Sequence, residues 1–140
     1  MTNEAKSRPS KVYKVIQWAT GNIGSYAIKS ILDHPCLELA GVFVYNPEKA
    51  GLDAGAICAR GKTGVITTDN KQDILAMKAD CVLYMPRHCD LDDVCAILTS
   101  GKNIVTTRSE FLYPKKFMTE SDFSRLEAAC MQGQTSIHAT

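Results

Sequence analysis

The sequence predicts an α/β domain built on a doubly wound parallel sheet. Three observations point there. Runs of β-forming residues alternate with segments of helical periodicity along the whole chain. The first such run, Val12–Trp18, ends in a glycine turn, Ala19-Thr20-Gly21-Asn22-Ile23-Gly24, that feeds a helix at once. The second, Leu37–Tyr45, is apolar almost throughout, as a strand covered on both faces should be.

Met1–Lys11 is polar and reads as a disordered tail. After the turn, Ile23, Ala27, Ile28, Ile31 and Leu32 recur at helical spacing until Pro35 closes the segment. Asn46-Pro47 stops the second strand. A stretch punctuated by Gly51, Gly55, Gly61 and Gly64 leaves room for one helical turn at most, then Val65–Thr67 forms a short third strand. Lys71–Lys78 is a short helix, and Asp80–Met85 a fourth strand ended by Pro86. Asp90 caps a helix carrying Leu91, Val94, Cys95 and Leu98 on one face, closed by Gly101. Asn103–Thr106 is strand five. Thr119-Glu120-Ser121-Asp122 opens a last helix in capping-box style, with Phe123, Leu126 and Cys130 at apolar spacing and Gly133 at its end; Thr135–Ala139 is strand six. Six strands with helical crossovers give a Rossmann-type sheet of order 3-2-1-4-5-6, one domain over residues 12–140, with a ligand crevice above the carboxyl ends of strands one and four. No residues remain for a second, substrate-binding domain, so the expectation is a chain cut short of one.

Composition narrows the function. The 140 residues are 45% hydrophobic, enough for a real core, and 16 basic against 15 acidic residues leave a formal charge of +1. No basic run interleaves with aromatics, so nucleic-acid binding has no electrostatic support. No apolar run approaches a membrane span and the first residues lack a signal-peptide core, which predicts a soluble cytoplasmic protein. Six cysteines contain no C-x-x-C pair, and Cys81 and Cys95 fall on apolar positions, so they read as free thiols used as small hydrophobes. His34, His88 and His138 form no ligand-spaced cluster with them, and no metal is expected.

The glycine turn carries the chemistry. A strand, tight turn and helix N-terminus present bare main-chain N–H groups and a partial positive charge, which suits a diphosphate. Gly21 lets the backbone approach, and Gly24 lets the helix lie on the strand. Of the three glycines of G-x-G-x-x-G, the first is replaced by Ala19, and a plain structural turn explains the motif by itself as well. The predicted crevice collects Ala19, Thr20, Gly21, Asn22 and Ile23 from the turn, Asn46 and Lys49 from the loop after strand two, Met85 and Pro86 after strand four, and Thr107 after strand five. No acid lies between Leu39 and Pro47 to bind a ribose diol, whereas Asn46 and Lys49 suit a 2′-phosphate, which favours NADP over NAD. Arg87 and His88 either face the nicotinamide or are solvated loop residues.

Ala19-Thr20-Gly21-Asn22-Ile23-Gly24, Tyr45-Asn46-Pro47-Glu48-Lys49-Ala50-Gly51-Leu52-Asp53-Ala54-Gly55 and Ser109-Glu110-Phe111-Leu112-Tyr113-Pro114 together resemble the N-terminal NAD(P)-binding domain of the dihydrodipicolinate-reductase-like oxidoreductases. Within that group the sequence is most similar to the 2,4-diaminopentanoate dehydrogenases and the native amine dehydrogenases. The resemblance implies interconversion of an amine with a ketone and ammonia at the expense of NAD(P). It assigns a catalytic role to Glu110, whose carboxylate would hold the ammonium or iminium and relay a proton if burial raises its pKa. It also implies a homodimer formed through a second domain, and weak turnover or none by this short chain. Tyr84-Met85-Pro86-Arg87-His88 departs from the loop of true dihydrodipicolinate reductases, which disfavours that reaction. Two alternatives remain: a non-catalytic dinucleotide-binding module, and an S-adenosylmethionine-dependent methyltransferase. Against the methyltransferase, Gln17, Trp18 and Ala19 stand where such enzymes usually carry an acid before the glycines.

Overall fold

A computed structural model describes residues 11–140. The expected tail therefore lies, except for Lys11, outside the described residues. Among those residues five parallel strands form one sheet in the order β2-β1-β3-β4-β5: β1 Tyr13–Trp18, β2 Leu37–Phe43, β3 Cys81–Tyr84, β4 Asn103–Thr106 and β5 Ile137–Ala139. Six helices join them: α1 Asn22–Asp33, α2 Ala54–Ile57, α3 Lys71–Ala76, α4 Leu91–Thr99, α5 Pro114–Phe117 and α6 Glu120–Gly133.

The expected third strand is the one correction to the sheet, which has five strands rather than six. Val65–Thr67 divides its backbone between two partners. Thr67 N donates to Leu52 O at 2.8 Å, and Gly51 N donates to Thr67 O at 2.9 Å, which turns the segment toward the glycine-rich loop. Only Thr68 reaches the sheet, exchanging hydrogen bonds with Val42 O and Val44 N as a single parallel bridge to Phe43. That bridge stands beside β2, where order 3-2-1-4-5-6 places its outermost strand, and the other five strands keep the expected order.

Both faces of the sheet are covered, because alternate residues of β1 point to opposite sides. Val15 packs with Ile28, Ile31, Leu39, Val42 and Val44 under α1. Ile16 and Trp18 pack with Ile74, Val82, Tyr84, Val94, Ile97 and Leu98 under α3, α4 and α6. Fully burying a side chain such as Ile28 or Ile31 stabilises the fold by about 1.5–3 kcal/mol.

Helix ends follow local chemistry. Asp90 Oδ1 accepts from Asp92 N at 2.9 Å to open α4, and Thr119 Oγ1 accepts from Asp122 N at 3.1 Å to open α6. α1 stops at Asp33 because His34, held extended before Pro35, cannot continue it. Gly101, with φ +93°, follows the α4 C-cap as expected. At the end of α6 the left-handed residue is Gln134, not Gly133. Gly133 is required by packing: a Cβ there would collide with Leu98 O at the end of α4. No helix among the described residues is long and apolar enough to cross a membrane. All six cysteines are free thiols.

Candidate functional site

The turn after β1 is shaped by three residues. Ala19 adopts φ +81°, the left-handed region that glycine occupies at no cost and alanine does not. A Cβ on Gly24 would run into Ala19 O and stand 3.2 Å from Gln17 Nε2, so α1 can lie this close to β1 only with glycine there. Gly21 is different. Its φ of −64° is open to any residue, and a Cβ built on it meets no atom within 4 Å. Nothing in the fold itself demands a glycine at 21; the space above it is open. Gly21 is the N-cap of α1 and no side chain among the described residues caps that end, so the helix presents its first N–H groups outward.

All ten residues expected to bind a cofactor line one cavity of about 660 Å³ at the carboxyl ends of β1, β2, β3 and β4. Ile23 belongs to it rather than to the buried face of α1, where its spacing puts it; it is 62% exposed. Lys49 reaches across to donate from Nζ to Thr20 O at 3.4 Å. Asn46 Oδ1 accepts from Glu48 N at 3.0 Å, which opens the one-turn helix Pro47–Lys49.

Four further wall residues are not among the expected ten: Gly24, Tyr45, Arg87 and Arg108. Gly24 belongs to the glycine turn, Arg87 is one of the two loop residues expected to face either the nicotinamide or solvent, and Tyr45 and Arg108 fall in stretches that follow a strand. Trp18 Nε1 donates to Tyr45 Oη at 2.8 Å, and the Tyr45 ring meets Phe43 edge-on at 4.9 Å. Burial raises the Tyr45 pKa against the lowering effect of the Trp18 hydrogen bond, so it stays a neutral phenol at pH 7. Tyr45, Pro86 and Arg87 also wall a second cavity of about 590 Å³, which adds His88, Cys89, Asp90 and the Lys71–Asp93 ion pair at 2.8 Å.

Glu110 does not line the 660 Å³ cavity. It lies behind Arg108, whose Nε donates to its Oε1 at 3.1 Å while Arg108 Nη1 donates to Arg87 O at 2.9 Å. Arg108 thereby joins the loops after β3 and β4. Burial pushes the Glu110 carboxyl up, but the hydrogen bonds and charge of Arg108 prevail and its pKa is lowered. The condition that burial raise the Glu110 pKa is therefore not met in this arrangement. Its Oε2 is shielded from solvent and meets no donor among the described residues. Among those residues no group of three or more His, Cys, Asp and Glu side chains could hold a metal ion.

No family model matches the sequence. An amine dehydrogenase of Streptomyces virginiae is 31% identical over 132 residues, which cover 89% of this chain and 36% of that protein. Among solved structures, an amine dehydrogenase from Mycobacterium smegmatis superposes with a TM-score of 0.86 at 20% identity, over 95% of this chain and 40% of the other. An NAD-binding protein from Listeria innocua gives 0.66 at 22% identity, over 91% of this chain and 33% of that one. A homoserine dehydrogenase from S. aureus gives 0.66 at 13% identity, over 92% and 32%. The chain spans 32% to 40% of the length of these proteins. Its sequence is similar to the corresponding part of an amine dehydrogenase, and its fold is Rossmann-like.

Proposed function

We propose that this chain is the cofactor-binding domain of an NAD(P)-dependent oxidoreductase acting on amines. The observation that carries the reading is Gly21: its backbone would accept any residue, yet the space where a side chain would stand is open, above an uncapped helix N-terminus. A diphosphate fits that space, with main-chain N–H groups of residues 20–23 as donors and the helix dipole favouring its charge. Lys49 and the amide of Asn46 sit where a 2′-phosphate would fall, which supports NADP before NAD. Thr107, Met85 and Pro86 close the side toward β3 and β4, next to where the nicotinamide would lie. The bound nicotinamide would supply the hydride acceptor or donor. In the balanced reaction a secondary alkylammonium, oxidised NAD(P) and water give a ketone, ammonium, reduced NAD(P) and one proton. The carbon that bears nitrogen loses a hydride, and water replaces the nitrogen.

Glu110 is the proposed catalytic residue. Its unpartnered Oε2 is an acceptor waiting for a donor, and a substrate ammonium or iminium supplies one. Arg108 holds the carboxylate ionised, so Glu110 takes up a substrate cation and relays a proton only when Arg108 is drawn away. The same ion pair favours a second reading, a dinucleotide-binding module without chemistry, in which Arg108 and Glu110 merely tie two loops together. Steady-state reductive amination with NADPH, ammonium and a panel of ketones, run on this chain fused to the C-terminal half of an amine dehydrogenase, separates the two. Turnover that falls on replacing Glu110 supports the enzyme; tight NADPH binding without any turnover supports the module.

A further inference from the structure

Gln17 stands in the middle of the central strand, fully buried, between Val42 and Leu83 of the neighbouring strands. It shares the α1 side of the sheet with Val15. Its Nε2 donates to Ala19 O at 3.0 Å and lies 3.5 Å from Trp18 O. Its Oε1 meets no solvent and no donor among the described residues. A buried amide with one end unpaired is worse than an apolar side chain of the same shape, so it persists only where its other end has work to do. The work is at Ala19, whose left-handed backbone is uphill for any residue with a Cβ. The Ala19 carbonyl points down between Gln17 and the bare Gly24, and the chain rises from it into Thr20, Gly21 and Asn22 on the cavity wall.

The geometry points to Gln17 as a positioning residue for anion recognition: its amide pins the Ala19 carbonyl, holds the left-handed turn, and so presets the main-chain N–H groups of Thr20–Asn22. This rests on the dinucleotide reading for the identity of the ligand, but the pinning itself is a property of the free protein. A side chain that only filled space would affect stability alone. Gln17 is coupled to Ala19 and to ligand affinity.

A double-mutant cycle tests this. Wild type, Gln17→Met, Ala19→Gly and the double variant are titrated with NADPH and NADH, and the ligand-free amide NMR peaks of Thr20, Gly21 and Asn22 are recorded for each. Losing one pinning hydrogen bond is expected to weaken NADPH binding about tenfold in the Ala19 background. In the Ala19→Gly background, where the backbone holds a left-handed turn unaided, the same substitution should cost less than about threefold. The three amide peaks should move in ligand-free Gln17→Met. An equal loss in both backgrounds, or unchanged affinity with unmoved peaks, overturns the proposal. If wild type binds neither dinucleotide, the cofactor reading fails, and the peaks still decide: moved peaks uphold the pinning and unmoved peaks refute it. Should Gln17→Met not fold, Gln17→Leu, which also removes the donor, is expected to give the same pattern.

Discussion

The Trp18 indole donates to the Tyr45 hydroxyl at 2.8 Å, so the buried end of β1 is tied to the residue that walls both cavities. Trp18 is the chain's single tryptophan, 1% exposed and stacked on Phe43 at 4.1 Å. Tyr45→Phe leaves its N–H buried without an acceptor, which should cost about 1–3 kcal/mol. Equilibrium unfolding followed by tryptophan emission measures that loss. Emission of the folded variant should also differ from wild type, since the indole hydrogen bond is gone.

Gly21 and Gly24, at the two ends of the same turn, should respond oppositely to substitution. Gly24→Ala forces a Cβ against Ala19 O and should destabilise the fold by about 1–3 kcal/mol. Gly21→Val adds bulk to open space with a permitted φ, so its effect on stability should stay within about 1 kcal/mol. NADPH affinity should nevertheless vanish in Gly21→Val. Thermal unfolding beside a titration of each variant separates the two roles.

Glu110 and Arg108 should be coupled in catalysis. In the fusion to the C-terminal half of an amine dehydrogenase, Glu110→Ala is expected to reduce amine turnover at least about 100-fold, in the range of a lost acid–base group, while NADPH binding stays near wild type. The folded carboxyl has a lowered pKa, so its contribution to stability is present above the ordinary value and fades as pH falls through the folded one. Arg108→Met removes what lowers it, and the acid limb of the rate profile should then move to higher pH. A limb that stays in place in Arg108→Met assigns the titration to another group.

Asp53 holds the loop between α2 and Thr68. Its Oδ1 accepts from Gly55 N at 2.8 Å and from Thr63 N at 2.9 Å, and its Oδ2 accepts from Gly64 N at 2.8 Å. The hydrogen bonds from Thr63, then Gly55, hold its pKa far below the ordinary 3.8. With the folded value lowered, the stabilisation is complete above 3.8 and drains away as pH falls beneath it. Asp53→Asn should lower the melting temperature at pH 7 and flatten its decline between about pH 4 and about pH 2.5, in a series of melts across that window.

Much of this was legible in the chain because the relevant signals are local. Asp90 and Thr119 cap their helices where a short acceptor side chain precedes an acidic first turn, and Asn103–Thr106 is a strand to the residue. The ten crevice residues come together because a parallel sheet gathers all its strand ends on one edge. What was missed depends on pairing across the fold. Val65–Thr67 has strand composition but spends its backbone on Gly51 and Leu52. Glu110 reads as a free carboxylate until Arg108 is placed beside it. Gln17 looks like a polar intruder in an apolar strand, and its purpose appears only with the φ of Ala19. Lys102 is similar: 3% exposed, it donates to Leu75 O at 2.8 Å and Ser100 Oγ at 3.1 Å, bridging the ends of α3 and α4 without a carboxylate.

Calorimetric titration of the wild-type chain and Gly21→Val with NADPH, with NADH and S-adenosylmethionine as comparisons, addresses the central claim most directly. Saturable 1:1 binding of NADPH, weaker binding of NADH, none of S-adenosylmethionine, and no heat from folded Gly21→Val are expected. Undiminished binding by Gly21→Val, or no nicotinamide binding by the wild type, would contradict that claim.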